Sequence, residues 1–141
     1  MSTLREKYGL NETAVINLKD GADEPMIGAD NERCTVTVYA PGTKQHNRAR
    51  ARETNESVDR FQKKGKSKIN AEEFEKDRVE YAVTVTKSVS KNLADDLAPG
   101  LEGRDQLLKI FTDPDVGFLI LEQVHTEQRK TENFTKASTG A

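Results

Sequence analysis

The side chains in this chain that could do chemistry are few and widely spaced. The histidines are His46 and His125, and Cys34 is the single cysteine. A metal site needs His, Cys or carboxylate ligands at short, regular spacing. Neither histidine has a second His or a Cys within that reach, so both read as exposed helix residues. Cys34 lies in a β-branched stretch without a nearby His, so a thiolate nucleophile would lack its base. Asp95 and Asp96, followed by Glu102 and Asp105, are the candidate carboxylate pair. General acid–base work needs a pocket that drives the two pKa values apart. These acids instead fall in a Pro/Gly-containing loop with little apolar wall, and they read as solvated. Gly100-Leu101-Glu102-Gly103 lacks the spacing and the Lys–Ser/Thr pair of a phosphate loop, and no Ser sits in a nucleophile elbow. The expectation is no catalytic, cofactor-binding or metal-binding residue, no cofactor, and no enzyme.

Nucleic-acid binding would rest on Arg48, Arg50 and Arg52 and on Lys63, Lys64, Lys66 and Lys68. Arginines two apart point around a helix instead of forming one stripe. Of the aromatics, Phe61 alone borders the lysines. A solvated helix and linker is the simpler reading. Acids (24) nearly balance bases (22), giving a net charge of −2, which also argues against nucleic acid or an acidic membrane as partner. Residues 1–25 contain no apolar h-region, and no run is long enough to cross a bilayer. A lone cysteine fits a reducing compartment, so a soluble cytoplasmic protein is expected.

The elements that would position these groups follow from periodicity. With 141 residues, 33% charged and 34% hydrophobic, the chain makes one domain with a small core. Residues 1–12 are polar and expected to be frayed, 13–135 form one α+β domain, and 136–141 form a flexible tail. Within the domain, 13–40 is the β-hairpin part and 43–135 the helical part. Ala14, Ile16 and Leu18 share one face of an extended segment, and Asp20-Gly21 signals a turn. Cys34 to Tyr39 is the clearest strand. Met26 to Arg33 is either a third short strand or part of a long hairpin arm, giving a two- or three-stranded antiparallel sheet.

Thr43 caps a helix from Lys44 to about Phe61. Lys63 to Lys68 is a basic linker. Asn70 and Glu73 read as a capping box opening a helix over roughly 71–91, although Tyr81 to Thr86 also alternates as a strand would. Ala94 to Gly103 is a loop, and Arg104 to Phe111 a short helix. Asp113 then caps a helix running to about Lys130, with Pro114 at its first position. The result is a small N-terminal antiparallel sheet followed by about four helices.

The last helix is the most apolar part of the chain: Val116, Phe118, Leu119, Ile120, Leu121 and Val124 cover much of its circumference. Two readings stand. The set is the domain's own core, or its excess meets a partner or another copy of the chain. On the second reading the partner-binding residues are Leu107, Leu108, Phe111, Phe118, Leu119, Leu121 and Val124.

In order along the chain, several features resemble the tail assembly chaperones of long-tailed bacteriophages. The hairpin ends in Val36-Thr37-Val38-Tyr39-Ala40-Pro41-Gly42-Thr43 and leads through Lys44-Gln45 into an Ala/Arg-rich helix. A Lys/Gly-rich gap precedes an acidic helix that becomes apolar, Glu72 to Val89. A short helix ends in an Asp-Pro turn, Lys109 to Pro114. An apolar helix carries Gly117-Phe118 and Gln123-Val124, and Asn133-Phe134-Thr135 follows. Such proteins often carry Cys and Trp in the helix before the 92–103 loop, and this chain has no Trp.

The resemblance implies assembly without catalysis. Such proteins coat the tape-measure protein in the host cytoplasm, keep its apolar helices from aggregating, help recruit tail-tube subunits and are absent from the finished virion. They are often made in two lengths by frameshifting, and this chain would be the shorter form. The alternative function is a structural virion protein, a minor tail or head–tail connector component. A small nucleic-acid-binding protein is a third class.

Overall fold

Alternation sets the sheet. In the computed structural model the described residues are 3–52 and 71–135, the side chains of 71–74 excepted. Strand β1 (Thr13–Asn17) pairs antiparallel with β2 (Thr35–Tyr39), Ala14 opposite Val38 and Ile16 opposite Val36. The hydrogen bonds flanking the ladder, Ala40 N–H to the Glu12 carbonyl and Leu18 N–H to the Cys34 carbonyl, fix its parity. Even-numbered residues of β1 exchange bonds with β2, and their side chains enter the core. The backbone N–H and C=O groups of Thr13, Val15 and Asn17 therefore point away from β2.

Residues 26–33 resolve as a hairpin arm with isolated bridges, Lys19 to Pro25 and Ile27 to Arg33. Met26 wedges between Leu18 and Cys34, donating to the Leu18 carbonyl (3.0 Å) and accepting from Cys34 N–H (2.8 Å). Asp20 Oδ1 ties the first turn through Ala22 and Glu24 N–H groups. Asn31 turns the second, with φ at 63°, a conformation Asn tolerates better than most residues.

Ahead of the sheet, Leu4–Tyr8 forms an exposed single-turn helix, α1, with Thr3 Oγ1 accepting from Glu6 N–H; a frayed segment was the expectation there. Helix α2 opens at residue 44 and is described to residue 52. Its cap is Thr43, whose Oγ1 accepts from His46 N–H at 3.3 Å. The expected helix end near Phe61, the Lys63–Lys68 linker, the Asn70/Glu73 capping box and the 136–141 tail rest on groups outside the described ones.

The expected helix over 71–91 is three elements: α3 (Ala71–Val85), β3 (Thr86–Val89) and α4 (Lys91–Leu97). The helix stops where β-branched residues accumulate and where threonine hydroxyls bond back to carbonyls four residues earlier, Thr84 to Glu80 and Thr86 to Ala82. With no loop between them, β3 then pairs antiparallel with β2 and completes the sheet order β1-β2-β3. Thr37 faces Ser88 while Val38 faces Thr86, so Lys87 is the extra residue of a bulge. The predicted loop over 94–103 begins only after Leu97, because α4 occupies its first residues.

Helix α5 spans Gly103–Phe111 and α6 spans Gly117–Gln128. Asp113 does cap, its Oδ1 accepting from Asp115 (2.9 Å) and Val116 (3.0 Å) N–H groups. What it closes is a separate turn, and α6 starts at Gly117 instead of Pro114. A Cβ on Gly117 would lie 2.7 Å from the Phe111 carbonyl oxygen, so glycine sets how closely α5 and α6 approach. A 3-10 turn, Thr131–Phe134, follows, with Phe134 fully buried. The core lies between the inner face of the sheet (Ala14, Ile16, Leu18, Val36, Val38) and α3, α5 and α6. No helix among the described residues is long and apolar enough to cross a membrane.

Candidate partner-binding surface

The apolar excess of α6 is mostly spent inside. Leu107, Phe111, Leu121 and Val124 are buried and belong to the core, and of these only Phe111 and Leu121 reach a surface groove with an edge. Phe118 is the exception, 65% exposed at the start of α6. Leu108 and Leu119 are half-buried. Successive helical residues are about 100° apart, and that rotation separates Phe118 from Leu119. The expected single surface is therefore two.

Phe118 lies over a groove of about 470 Å³ between α3, α5 and the start of α6. Val79, Leu108, Phe111 and Leu121 line it with Phe118, and Glu75, Lys76 and Asp113 lie at its border. Val79 was absent from the sequence-derived set. Its signal was legible: Val79, Ala82 and Val83 stand at i, i+3 and i+4. Leu119 faces a second groove, of about 570 Å³, between α6 and the outer edge of β1.

An ion-pair cluster braces the first groove. Glu80, nearly buried, binds Arg104 of α5 through Oε1, and its Oε2 lies 3.4 Å from Arg52 of α2. Arg78 of α3 pairs with Glu122 of α6. Arg52 was one of the arginines considered for nucleic acid, and its guanidinium is directed to Glu80. Arg48 and Arg50 are exposed.

Both histidines depart from the expectation of exposed helix residues. His125 is buried, its Nε2–H donating to the Arg78 carbonyl at 2.9 Å. It stacks on Tyr81 with ring centroids 5.0 Å apart. Burial, then the charges of Arg78 and Arg129, lower its pKa. His46 is half-buried, accepts from Gly42 N–H at Nδ1, and sits edge-on to the same tyrosine. Burial, then Arg50 and Arg129, lower its pKa as well. Tyr81 donates to Gln128 Oε1 (3.0 Å), and Gln128 Nε2 donates to the Tyr39 carbonyl (3.0 Å). These groups join α3, α6 and β2 in a packed polar seam.

No protein-family model, curated protein or solved structure matches this chain.

The remaining candidate chemistry is dispersed. Cys34 is buried, and desolvation pushes its thiol pKa up, away from the thiolate. Asp95 pairs with Lys91 one turn away on α4, and Asp96, Glu102 and Asp105 are exposed. Among the described residues, no group of three His, Cys, Asp or Glu side chains is placed to hold a metal ion. What the geometry can do is bind: it offers an apolar groove with an exposed aromatic at its mouth.

Proposed function

We propose that this chain is a tail assembly chaperone of a long-tailed bacteriophage. It would bind the tape-measure protein in the host cytoplasm and help recruit tail-tube subunits, without catalysis. The groove under Phe118 is the observation that most supports the reading. Its apolar lining and polar border suit an amphipathic or apolar helix laid in lengthwise. Burying the exposed part of one phenylalanine is worth about 2 kcal/mol. A single contact of that size is readily displaced, and copies that also touched one another along a long client would hold it more firmly. Reversible coating needs that combination of weak contacts and high copy number.

The test is co-expression with a tape-measure protein of a long-tailed phage. Wild type is expected to co-purify with it and keep it soluble, and Phe118→Asp to lose both effects while remaining folded. Undiminished co-purification of Phe118→Asp would sink the proposal. So would stoichiometric recovery of the chain from purified virions, which would mark a structural virion protein instead.

A further inference from the structure

The geometry points to a strand-addition site on the outer edge of β1, for an extended segment of another protein that carries alternating apolar residues flanked by basic ones. It is separate from the groove under Phe118 and does not depend on the function proposed above. Strand parity turns the N–H and C=O groups of Thr13, Val15 and Asn17 outward, and none of them bonds to another described residue. At either end of this stretch the protein supplies its own substitute for a neighbouring strand. Asn11 N–H donates to the Phe134 carbonyl at 2.8 Å. Lys19 N–H donates to Gln123 Oε1 (2.7 Å), and its carbonyl accepts from Gln123 Nε2 (2.9 Å). The open edge between them is one strand of five residues, about 17 Å long.

The space beside that edge is already formed. The groove of about 570 Å³ runs between β1 and α6, with Val15, Ile16 and Leu119 as its apolar surfaces. Asp20, Asp23, Glu122 and Glu127 line it with Lys19. Lys19, Arg78 and Lys130 pair with Asp23, Glu122 and Glu127, so four carboxylates meet three cations and the border keeps a small acidic excess at Asp20. An incoming strand would satisfy the outward backbone groups, set one apolar side chain over Ile16 and Leu119, and place basic residues among the carboxylates. In the most symmetric register a second copy of this chain fits poorly. Antiparallel pairing centred on Val15 would bring Lys19 of one copy opposite Asn11 of the other. The Phe134 carbonyl and the Gln123 amide already fill that position.

Val15→Pro is the discriminating variant. It deletes an outward N–H and no ladder bond, which edge strands tolerate. The probes are acetylated, amidated Lys-Val-Thr-Val-Lys, Lys-Ile-Thr-Ile-Lys and Lys-Leu-Thr-Leu-Lys at millimolar concentration, and their N-methylated forms. The readout is the amide resonances of the full chain. At least one unmethylated peptide should shift the Thr13, Val15 and Asn17 amides and slow their hydrogen exchange by about tenfold. The methylated forms should do neither, and Val15→Pro should abolish the response. The inference is overturned if all three peptides leave these amides unchanged or if methylated peptides act equally. It is also overturned if the amides are protected in the free protein, by the chain's own residues or, with concentration dependence, by a second copy. Should Val15→Pro fail to fold, the methylated peptides decide alone.

Discussion

Gln123 and Lys19 are joined in both directions: the side-chain amide of one accepts from and donates to the backbone of the other, at 2.7 and 2.9 Å. A peptide group in a neighbouring strand would make the same two bonds. Gln123→Leu keeps the volume and removes both. Each net hydrogen bond is worth about 1 kcal/mol, so losing two should lower the thermal midpoint by about 5–8 °C. Hydrogen exchange at the Lys19 amide should quicken while the Ile16 amide, inside the ladder, stays protected. Gln123→Glu should be worse, because a second acceptor would face the Lys19 carbonyl.

Gly117→Ala tests the close approach of α5 and α6. The new methyl would meet the Phe111 carbonyl oxygen, which is backbone and cannot rotate away. Overpacking of this kind costs about 1–3 kcal/mol. Urea denaturation should show a lower midpoint with an unchanged slope.

Phe118 and Leu121 should respond oppositely to substitution. Phe118 is largely exposed, so Phe118→Ser should change stability by no more than about 0.5 kcal/mol. Leu121 is 2% exposed, and Leu121→Ala should cost about 2–5 kcal/mol. Chemical denaturation of the pair checks whether the aromatic is surface and the leucine core.

Acid should weaken the fold through His125 and His46. Both have folded-state pKa values below the ordinary imidazole value. The unfolded chain therefore takes up protons first as the pH falls. Their stabilising contribution is complete above about pH 6.5 and declines as pH drops through that value toward the folded pKa. His125→Gln retains a donor for the Arg78 carbonyl and does not titrate. Its thermal midpoint should vary less between pH 7 and pH 5 than that of wild type, with His46 supplying the residual slope.

Glu80→Ala removes the shared partner of Arg52 and Arg104. Both arginines are about half exposed, so solvent moderates the cost to about 1–2 kcal/mol. Added salt should narrow the gap between variant and wild type, read from paired denaturation curves.

The hairpin was legible because strand parity is local. Ala14, Ile16 and Leu18 announce their face, and Val36 and Val38 match it in register. Thr43 and Asp113 were legible as caps for the same reason, although the turn closed by Asp113 postpones α6 to Gly117. The switch from α3 to β3 was not legible. Tyr81 to Thr86 satisfies both periodicities, and what decides is that β2 has a second edge to fill, a long-range demand. The burial of His125 was equally hidden, since it depends on Tyr81 and Arg78 standing across from it on another helix. In the candidate site, Phe118 was found as an apolar anchor. The division between core and surface depends on which side of α6 the sheet and α3 occupy, and residue type does not record that.

The direct passage from α3 into β3 has a consequence for the order of folding. Strand β2 is central, yet its second neighbour arrives no earlier than residue 86. A ribosome that has released residues 13–39 has released a hairpin with one bare side and no helical cover. Such a piece is short-lived in water by itself. The sheet therefore closes late, when α3 is already out and can carry β3 into place. The bare side of β2 thus has no third strand to pair with until the residues that follow α3 have been made.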